Sequence, residues 1–320
     1  MDFSWVGFVV EDYIIESLIG EGSFSMVYRG LPSQQGPPLV FKVSRPEGYG
    51  PVEWQTGAFN TLAKVYATSG FADVTPPADV VLKLQWDTLE GVRDPGLVHP
   101  VGCGEDAGLF YYKMPFIGGT SLREKLQGKS APVRVLVEAA RAMERLTQNQ
   151  GLEYHGDLKP DNILCPESGE VMLIDPGYFG PMRINGVLLD FCAISTPCYY
   201  PLLAPDDLFA LGIMLWEIVL GEQPFRKRGF SGRSNLERVG PELLEAVLDR
   251  EKVGRYELSA ILDLRLPREI LPGLDARTEA VLLKAMKLRK VGEGKLELDE
   301  GFSSFAAFAG AVADSLASRL

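Results

Sequence analysis

A ten-residue run near the middle of the chain, HGDLKPDNIL at 155–164, constrains the fold and the chemistry more than any other feature. Asp175 follows Asn162 by thirteen residues, in the short run LIDPG. Asp157 offers a carboxylate that can accept the proton of a hydroxyl group, and Asn162 and Asp175 offer the hard oxygen ligands that Mg²⁺ prefers. Lys159 would place a positive charge beside a transferred phosphoryl group. The order and spacing of these side chains therefore indicate phosphoryl transfer.

Two features near the N-terminus suit the binding of nucleotide phosphates. Gly20 and Gly22 lie in the turn between two predicted strands, where the missing Cβ atoms would let backbone N–H groups approach phosphate oxygens. Lys42 lies in the apolar strand LVFKV, where an ammonium group needs an anion. Each feature alone has a simpler interpretation, namely an ordinary hairpin turn and an edge-strand lysine that reaches solvent. A strand follows the glycine turn and no GK[ST] closes it, which excludes a Rossmann or Walker loop.

The chain changes from strand-rich to helix-rich along its length. Apolar patterning predicts strands at 13–20, 25–30, 39–43, near 97–103 and at 109–116, and helices at 52–68 and 77–92. A helix capped by Ser130 is predicted with Pro132 in its first turn and Gly151 just past its end, followed by a hairpin of strands 162–165 and 171–174. Further helices are predicted at 206–220, 242–250, 275–289 and 302–319.

Composition and charge limit the classes of partner. With 320 residues, 46% of them hydrophobic, the chain can bury the core of one two-lobed domain or of about two domains. A formal net charge of −11 argues against nucleic acid and anionic membranes as partners. The N-terminus lacks the basic region of a signal peptide, and the longest apolar run, 208–220, is too short to span a bilayer. We therefore expect a cytoplasmic protein without a membrane partner.

The cysteines give no sign of a metal cluster. Four cysteines, at 103, 165, 192 and 198, and two histidines, at 99 and 155, lack the spacing of a zinc site. We expect reduced thiols, as in a cytosolic protein. The alternative is a redox pair of Cys192 and Cys198.

Taken together, these motifs resemble those of the eukaryotic-type (Hanks-type) serine/threonine protein kinases, over about residues 13–320. GEGSFSMVY resembles the glycine-rich loop, HGDLKPDNIL resembles the catalytic loop, and IDPG resembles the Mg²⁺-binding motif. The LKPDN sequence is similar to that of serine/threonine kinases and not to that of tyrosine kinases. The resemblance implies an α+β fold of two lobes. The N-lobe, at 1–117, would be a small antiparallel β-sheet with a long connection, 44–96, between its third and fourth strands. The C-lobe, at 118–320, would be mainly helical.

The resemblance also implies ATP and Mg²⁺ as cofactors and a protein Ser/Thr hydroxyl as the substrate. Asp157 would be the base, Lys159 would stabilise charge, and Asn162 and Asp175 would hold the metal ion. Gly20, Gly22 and Lys42 would hold the nucleotide phosphates. The adenine pocket would be lined by Val27, Val40, Met114, Ile117 and Leu164, with Met114 as the gatekeeper. Asp207 would brace the catalytic loop, and Thr196 would begin the substrate-binding segment. A separate regulatory or targeting protein is a further expected partner.

One departure from the family pattern concerns regulation. Gly156 replaces the arginine that, in the family, pairs with a phosphate on the activation segment. Between Gly177 and Thr196 the hydroxyl residues are Tyr178 and Ser195. We therefore predict that activity does not require phosphorylation of this segment and that burial of its apolar side chains orders it. Those side chains are Ile184, Val187, Leu188, Leu189 and Phe191.

Other departures concern the nucleotide site and the substrate ledge. Pro176 replaces the usual phenylalanine and restricts Asp175 before it. The hypothesis favours Glu53 as the acidic partner of Lys42, with the alternative that Glu53 is an ordinary first-turn acidic residue; counting back from the turn at 94–98 gives Gln85. The APE element is not recognisable. These departures keep two alternatives open, namely a nucleotide-binding pseudokinase that acts as an interaction module and a kinase of small molecules.

Overall fold

The computed structural model describes residues 4–22, 24–46, 64–67, 70–73, 76–128, 132–167, 169–184, 187–194, 196, 199, 205–224, 265–292 and 295–317. A strand-rich first part precedes a mainly helical second part, and the predicted α+β architecture with two lobes is confirmed. No helix of these ranges is long and apolar enough to cross a membrane. Cys103 and Cys165 are free thiols, whereas the side chain of Cys192 and residue Cys198 lie outside the described part of the chain.

The first part is built on an antiparallel sheet. Its strands in chain order are β1 (Val9–Val10), β2 (Tyr13–Glu21), β3 (Ser25–Pro32), β4 (Leu39–Ser44), then, outside this sheet, β5 (Lys64–Ala67) and β6 (Gly70–Asp73), then β7 (Gly102–Asp106) and β8 (Leu109–Pro115). The sheet order is β1-β2-β3-β4-β8-β7. One face packs around Trp5, Tyr28 and Phe41. Helix α1 (Ala78–Leu89) packs on the other face, through Leu82 against Tyr112.

Two sequence predictions in this part are wrong at their ends. Residues 64–67 of the helix predicted at 52–68 form strand β5 instead, and residues 52–63 and 68 lie outside the described ranges. The strand predicted near 97–103 begins at Gly102, because residues 94–98 form a turn instead. Within that turn Leu97 forms an isolated parallel bridge with Leu173.

The second part encloses a helical core. Its elements before the central helix are β9 (Thr120–Ser121), α2 (Leu122–Gln127), α3 (Arg134–Asn149), a 3₁₀ turn (Pro160–Asn162), β10 (Ile163–Cys165) and β11 (Met172–Leu173). The predicted hairpin is confirmed as the antiparallel pair of β10 and β11. Helix α3 begins at Arg134, and Ser130, the predicted cap, lies outside the described residues.

The residues that the resemblance assigns to the activation segment form a hairpin of β12 (Tyr178–Ile184) and β13 (Val187–Ile194). Strand β13 pairs with β5, and the sheet order is β12-β13-β5-β6. The long connection 44–96 therefore contributes two strands that extend the activation segment. Sequence patterning missed this sheet, because strand pairing between residues more than 120 positions apart leaves no local signal.

The C-terminal helices surround α4 (Asp207–Leu220), as predicted. They are α5 (Pro267–Ile270), α6 (Ala276–Ala285) and, after the hairpin β14 (Leu288–Val291) and β15 (Lys295–Leu298), α7 (Phe305–Ser315). Trp216 of α4 is fully buried in this core. The helix predicted at 275–289 is too long, because Lys287 adopts a left-handed φ of 55° and a strand follows it. The helix predicted at 242–250 lies outside the described residues.

Candidate active site

The loop at 155–162 is held from below by the first turn of α4. The two carboxylate oxygens of Asp207 accept the backbone N–H groups of His155, at 2.7 Å, and Gly156, at 3.0 Å. Asp207 is buried, so its carboxylate has exchanged water for these two donors. The predicted bracing role of Asp207 thus has a direct geometric basis.

His155 connects this loop to the segment that carries Asp175. Its Nδ1 accepts the Asp157 N–H at 3.3 Å, and because an amide can only donate, its Nε2 carries the proton and donates to the Ile174 carbonyl at 3.0 Å. Burial lowers the pKa of His155 to about 4, so the imidazole is neutral near pH 7. The neutral ring therefore links the backbone at Asp157 to the backbone at Ile174.

Asp157 is surrounded by donors. Its Oδ1 accepts the Thr196 N–H at 2.7 Å, and its Oδ2 accepts from Lys159 Nζ at 2.8 Å and from Asn162 Nδ2 at 3.1 Å. Burial raises the pKa of Asp157, although the Lys159 ammonium acts in the opposite direction. Lys159 also donates to Thr196 Oγ1 at 2.8 Å. The structure thus brings together three residues with predicted roles, namely Asp157 as the base, Lys159 as the charge-stabilising lysine and Thr196 as the start of the substrate-binding segment.

Asp175 meets Lys42 in the cleft between the two lobes. Lys42 Nζ forms an ion pair with Asp175 Oδ1 and donates to Gln85 Oε1 at 2.9 Å. Burial opposes the charge on Lys42, but the carboxylate of Asp175 outweighs it and raises the pKa of the ammonium. Burial acts against the charge on Asp175 too, and Lys42 overcomes it, so the pKa of Asp175 is lowered. Both groups are charged at neutral pH.

Gln85 of α1 occupies the place beside Lys42 for which the sequence hypothesis favoured Glu53. Glu53 itself lies outside the described residues. The spacing from the turn at 94–98 points to Gln85, whereas the expectation of a charged partner for a lysine favours a glutamate.

The glycine turn is held by Arg45. Its guanidinium donates to the Gly22 carbonyl at 2.8 Å and to Glu21 Oε2 at 3.0 Å. A Cβ atom on Gly20 would meet Val27 at 3.6 Å, an ordinary contact. The fold therefore does not require glycine at this position, which favours a role in the close approach of a ligand.

The predicted adenine-pocket residues lie mostly on one face of the sheet. Val27 is opposite Lys42, and Val40 is opposite Met114, in antiparallel register, so their side chains share the face that carries Lys42. Ile117 follows β8 in the connection between the lobes, and Leu164 lies on β10. All except the buried Val40 are half-buried.

Asn162 and Asp175 suit a magnesium ion. Asn162 Nδ2 donates to the Asp157 carbonyl at 2.8 Å and to the Asp175 carbonyl at 3.2 Å, which leaves the amide oxygen for a metal. The Asp175 side chain is 36% exposed and so accessible. One carboxylate and one amide oxygen fit an ion that normally completes its shell with water and substrate phosphates.

Tyr154 is a residue of this region that sequence reasoning missed. Its hydroxyl donates to the Phe179 carbonyl and accepts the Phe179 N–H at 3.2 Å, and the two rings pack edge to face. Its one signal in the sequence is its position directly before His155.

No family profile matches the chain. Among curated proteins, the serine/threonine-protein kinase TIO of Arabidopsis thaliana is 25% identical over 231 residues, which cover 68% of this chain and 15% of the relative. The serine/threonine-protein kinase PknL of Mycobacterium tuberculosis is 24% identical over 228 residues, 67% of this chain and 50% of the relative. The chain thus spans half or less of the length of these relatives. The solved PknI kinase domain of M. tuberculosis covers 98% of this chain at 17% identity, with a TM-score of 0.56.

Proposed function

We propose that this chain, a divergent relative of the eukaryotic-type serine/threonine protein kinases, transfers the γ-phosphoryl group of Mg-ATP to serine or threonine hydroxyls of a protein substrate. The observation that carries the proposal is the constellation of Asp157, Lys159, Asn162 and Thr196 within hydrogen-bonding distance, beside Asp175 and Lys42. Each charged group that phosphoryl transfer needs is present.

One of these residues would transfer a proton, and the others would stabilise negative charge on the phosphoryl groups. Asp157, held by three donors, would accept the proton of a substrate hydroxyl. Lys159, already paired with Asp157, would stabilise negative charge on the transferred group. Asn162 and Asp175 would hold Mg²⁺, which neutralises phosphate charge when bound. Lys42, which pairs with Asp175 here, would also hold the nucleotide phosphates.

The test is transfer of radiolabel from ATP to the chain itself or to a generic protein substrate. We expect Asp157→Asn to reduce the rate by about 10²-fold or more, the usual contribution of a general base. The matched control is Asp106→Asn, the same change at the exposed last residue of β7, which should leave the rate unchanged. If the wild-type chain transfers no label under varied metal ions, the proposal is wrong.

The alternative of a pseudokinase is favoured by one observation, since Lys42 has a neutral amide rather than a carboxylate as its partner on α1. ATP binding without transfer to any substrate would support this alternative. A screen of small hydroxylated compounds beside protein substrates would test the remaining alternative of a small-molecule kinase.

A further inference from the structure

We propose that Gln85 is a positioning residue whose side-chain amide ties both the Lys42 ammonium and the turn at Asp175–Gly177 to helix α1. In this protein glutamine performs a task at this position that the glutamate of the kinase pattern could not perform. The inference rests on the proposed function, because it concerns the same nucleotide cleft.

The contacts of Gln85 reach two separate parts of the chain. The residue is buried, with a relative exposure of 6%. Its Oε1 accepts from Lys42 Nζ at 2.9 Å, and its Nε2 donates to the Pro176 carbonyl at 2.7 Å. The same Nε2 lies 3.2 Å from Asp175 Oδ1, and the Tyr112 hydroxyl lies 3.5 Å from Oε1. A single amide therefore joins strand β4, helix α1 and the segment after β11.

The chemistry of the partners fixes the orientation of the amide. A lysine ammonium can only donate, so the Gln85 oxygen must face Lys42. A carbonyl can only accept, so the Gln85 nitrogen must face Pro176, and proline has no N–H group to offer instead. The flipped amide would set donor against donor and acceptor against acceptor.

A glutamate here would keep the first bond and lose the second. Its carboxylate has no proton to donate near neutral pH, so an oxygen would face the Pro176 carbonyl oxygen. It would also place a second carboxylate beside that of Asp175, and Lys42 contacts both positions. The amide avoids both conflicts.

The turn that Gln85 holds needs support. Asp175 has a left-handed φ of 60°, which costs a residue other than glycine free energy unless the surroundings enforce it. Pro176 supplies no aromatic side chain to pack against α1. The bond from Gln85 to the Pro176 carbonyl therefore links α1 directly to the backbone of this turn, next to the side-chain packing of Tyr178 and Met182 with α1.

The experiment compares three variants of the full chain. Gln85→Glu keeps the acceptor and loses the donor, Gln85→Met keeps the approximate shape and loses both, and Gln35→Glu is the matched control in an exposed loop. Two quantities are measured, namely the Kd for ATP with excess MgCl₂ by calorimetry and hydrogen exchange of the peptide spanning 175–179. Exchange in α4 serves as the internal reference for global stability.

We expect both Gln85 variants to raise the Kd about tenfold, as for one buried hydrogen bond lost, and to exchange faster at 175–179 while α4 is unchanged. Gln35→Glu should match the wild type. A Gln85→Glu chain that binds and exchanges like the wild type overturns the proposal, and so does a change confined to Gln85→Met, because the donor would then be irrelevant. If Gln85→Glu does not fold, the exchange of Gln85→Met at 175–179 decides.

The two proposals fail in different ways. If the wild-type chain binds no ATP, the proposed function is wrong, and the exchange comparison still decides whether Gln85 holds the turn. If ATP binds and is turned over, but hydrogen exchange at 175–179 is the same in the Gln85 variants as in the wild type, the positioning role alone is wrong.

Discussion

Single buried residues set the conformation of the site. Asp207 receives two backbone N–H groups away from water, and the Asp175 carboxylate raises the pKa of the buried Lys42 ammonium. Removing one member of such a set leaves its partner buried and unsatisfied, which costs more than the bond itself contributes. The effects of substitution should therefore be large and specific at these positions.

Asp207→Asn gives a prediction at this scale. The amide can accept only one of the two N–H groups and would turn its own donor toward the other. We expect a loss of about 2 kcal/mol in the free energy of unfolding, or roughly 4–8 °C in Tm by scanning calorimetry. Asp87→Asn, on the exposed side of α1, is the control. Equal Tm shifts for the two variants would contradict the bracing role.

At the scale of elements, contacts between Tyr154 and Phe179 hold the start of the hairpin formed by β12 and β13. Gly156 makes this contact possible, because a Cβ atom there would lie 3.1 Å from the Tyr154 ring and 3.3 Å from the Phe179 ring. Its φ of +78° also favours glycine. The absence of arginine at 156 therefore accompanies a different anchor, a ring pair with two backbone hydrogen bonds.

Tyr154→Phe should loosen this anchor without changing ring packing. We expect faster hydrogen exchange in β12 and a phosphoryl-transfer rate lowered several-fold, since roughly 1 kcal/mol of hydrogen bonding is lost. Tyr13→Phe, in the N-lobe sheet, is a control. Unchanged exchange in β12 would show that the hydroxyl does not hold the segment.

The phosphorylation prediction concerns the same hairpin. The backbone strands 178–184 and 187–194 pair with each other in a sheet, while the side chains of 184–193 lie outside what the structure describes. We expect phosphatase-treated enzyme and the Tyr178→Phe, Ser195→Ala double variant to keep their transfer rates. Leu188→Asp should lower the rate. Loss of activity in the first two, with Leu188→Asp active, would overturn the prediction.

For the whole molecule, the turn at 94–98 joins the two lobes behind the cleft. Asp94 accepts two hydrogen bonds from Arg145 of α3, at 3.0 and 3.1 Å, and one from the Gly96 N–H at 2.7 Å. The Val98 N–H and the Gly96 carbonyl pair with the backbone of Leu173, at 2.9 and 2.8 Å. This connection fixes α1, which the turn follows, relative to the C-lobe.

Asp94→Asn should weaken that connection in a pH-dependent way. Burial acts against the charge, but Arg145 and the Gly96 N–H hold the pKa of Asp94 below its usual range. A lowered folded-state pKa stabilises the fold above the unfolded pKa of about 4 and loses that contribution as pH falls through the folded value. Denaturant unfolding should show a deficit of about 1 kcal/mol at pH 6 that shrinks toward pH 3. A deficit constant over this range would exclude the ion pair as its cause.

The sequence by itself predicted the main elements of this protein and the residues of its candidate active site. The spacing of Asp157, Asn162 and Asp175 pointed to the loop and the hairpin that the structure brings together, because these residues follow one another closely along the chain. The period of apolar residues predicted β2, β3, β4, β8 and α4, since each buries one local face.

Tertiary structure alone decided the partners that lie far apart along the chain. Gln85 meets Lys42 from 43 positions away and Pro176 from 91, and no local pattern records such a contact. The pairing of β5 with β13 and the hydrogen bond between the Phe179 N–H and the Tyr154 hydroxyl also join residues that are distant along the chain. These contacts depend on how completed elements pack, and an amide, a glycine or a short strand acquires its role only when packing brings its partners within hydrogen-bonding distance.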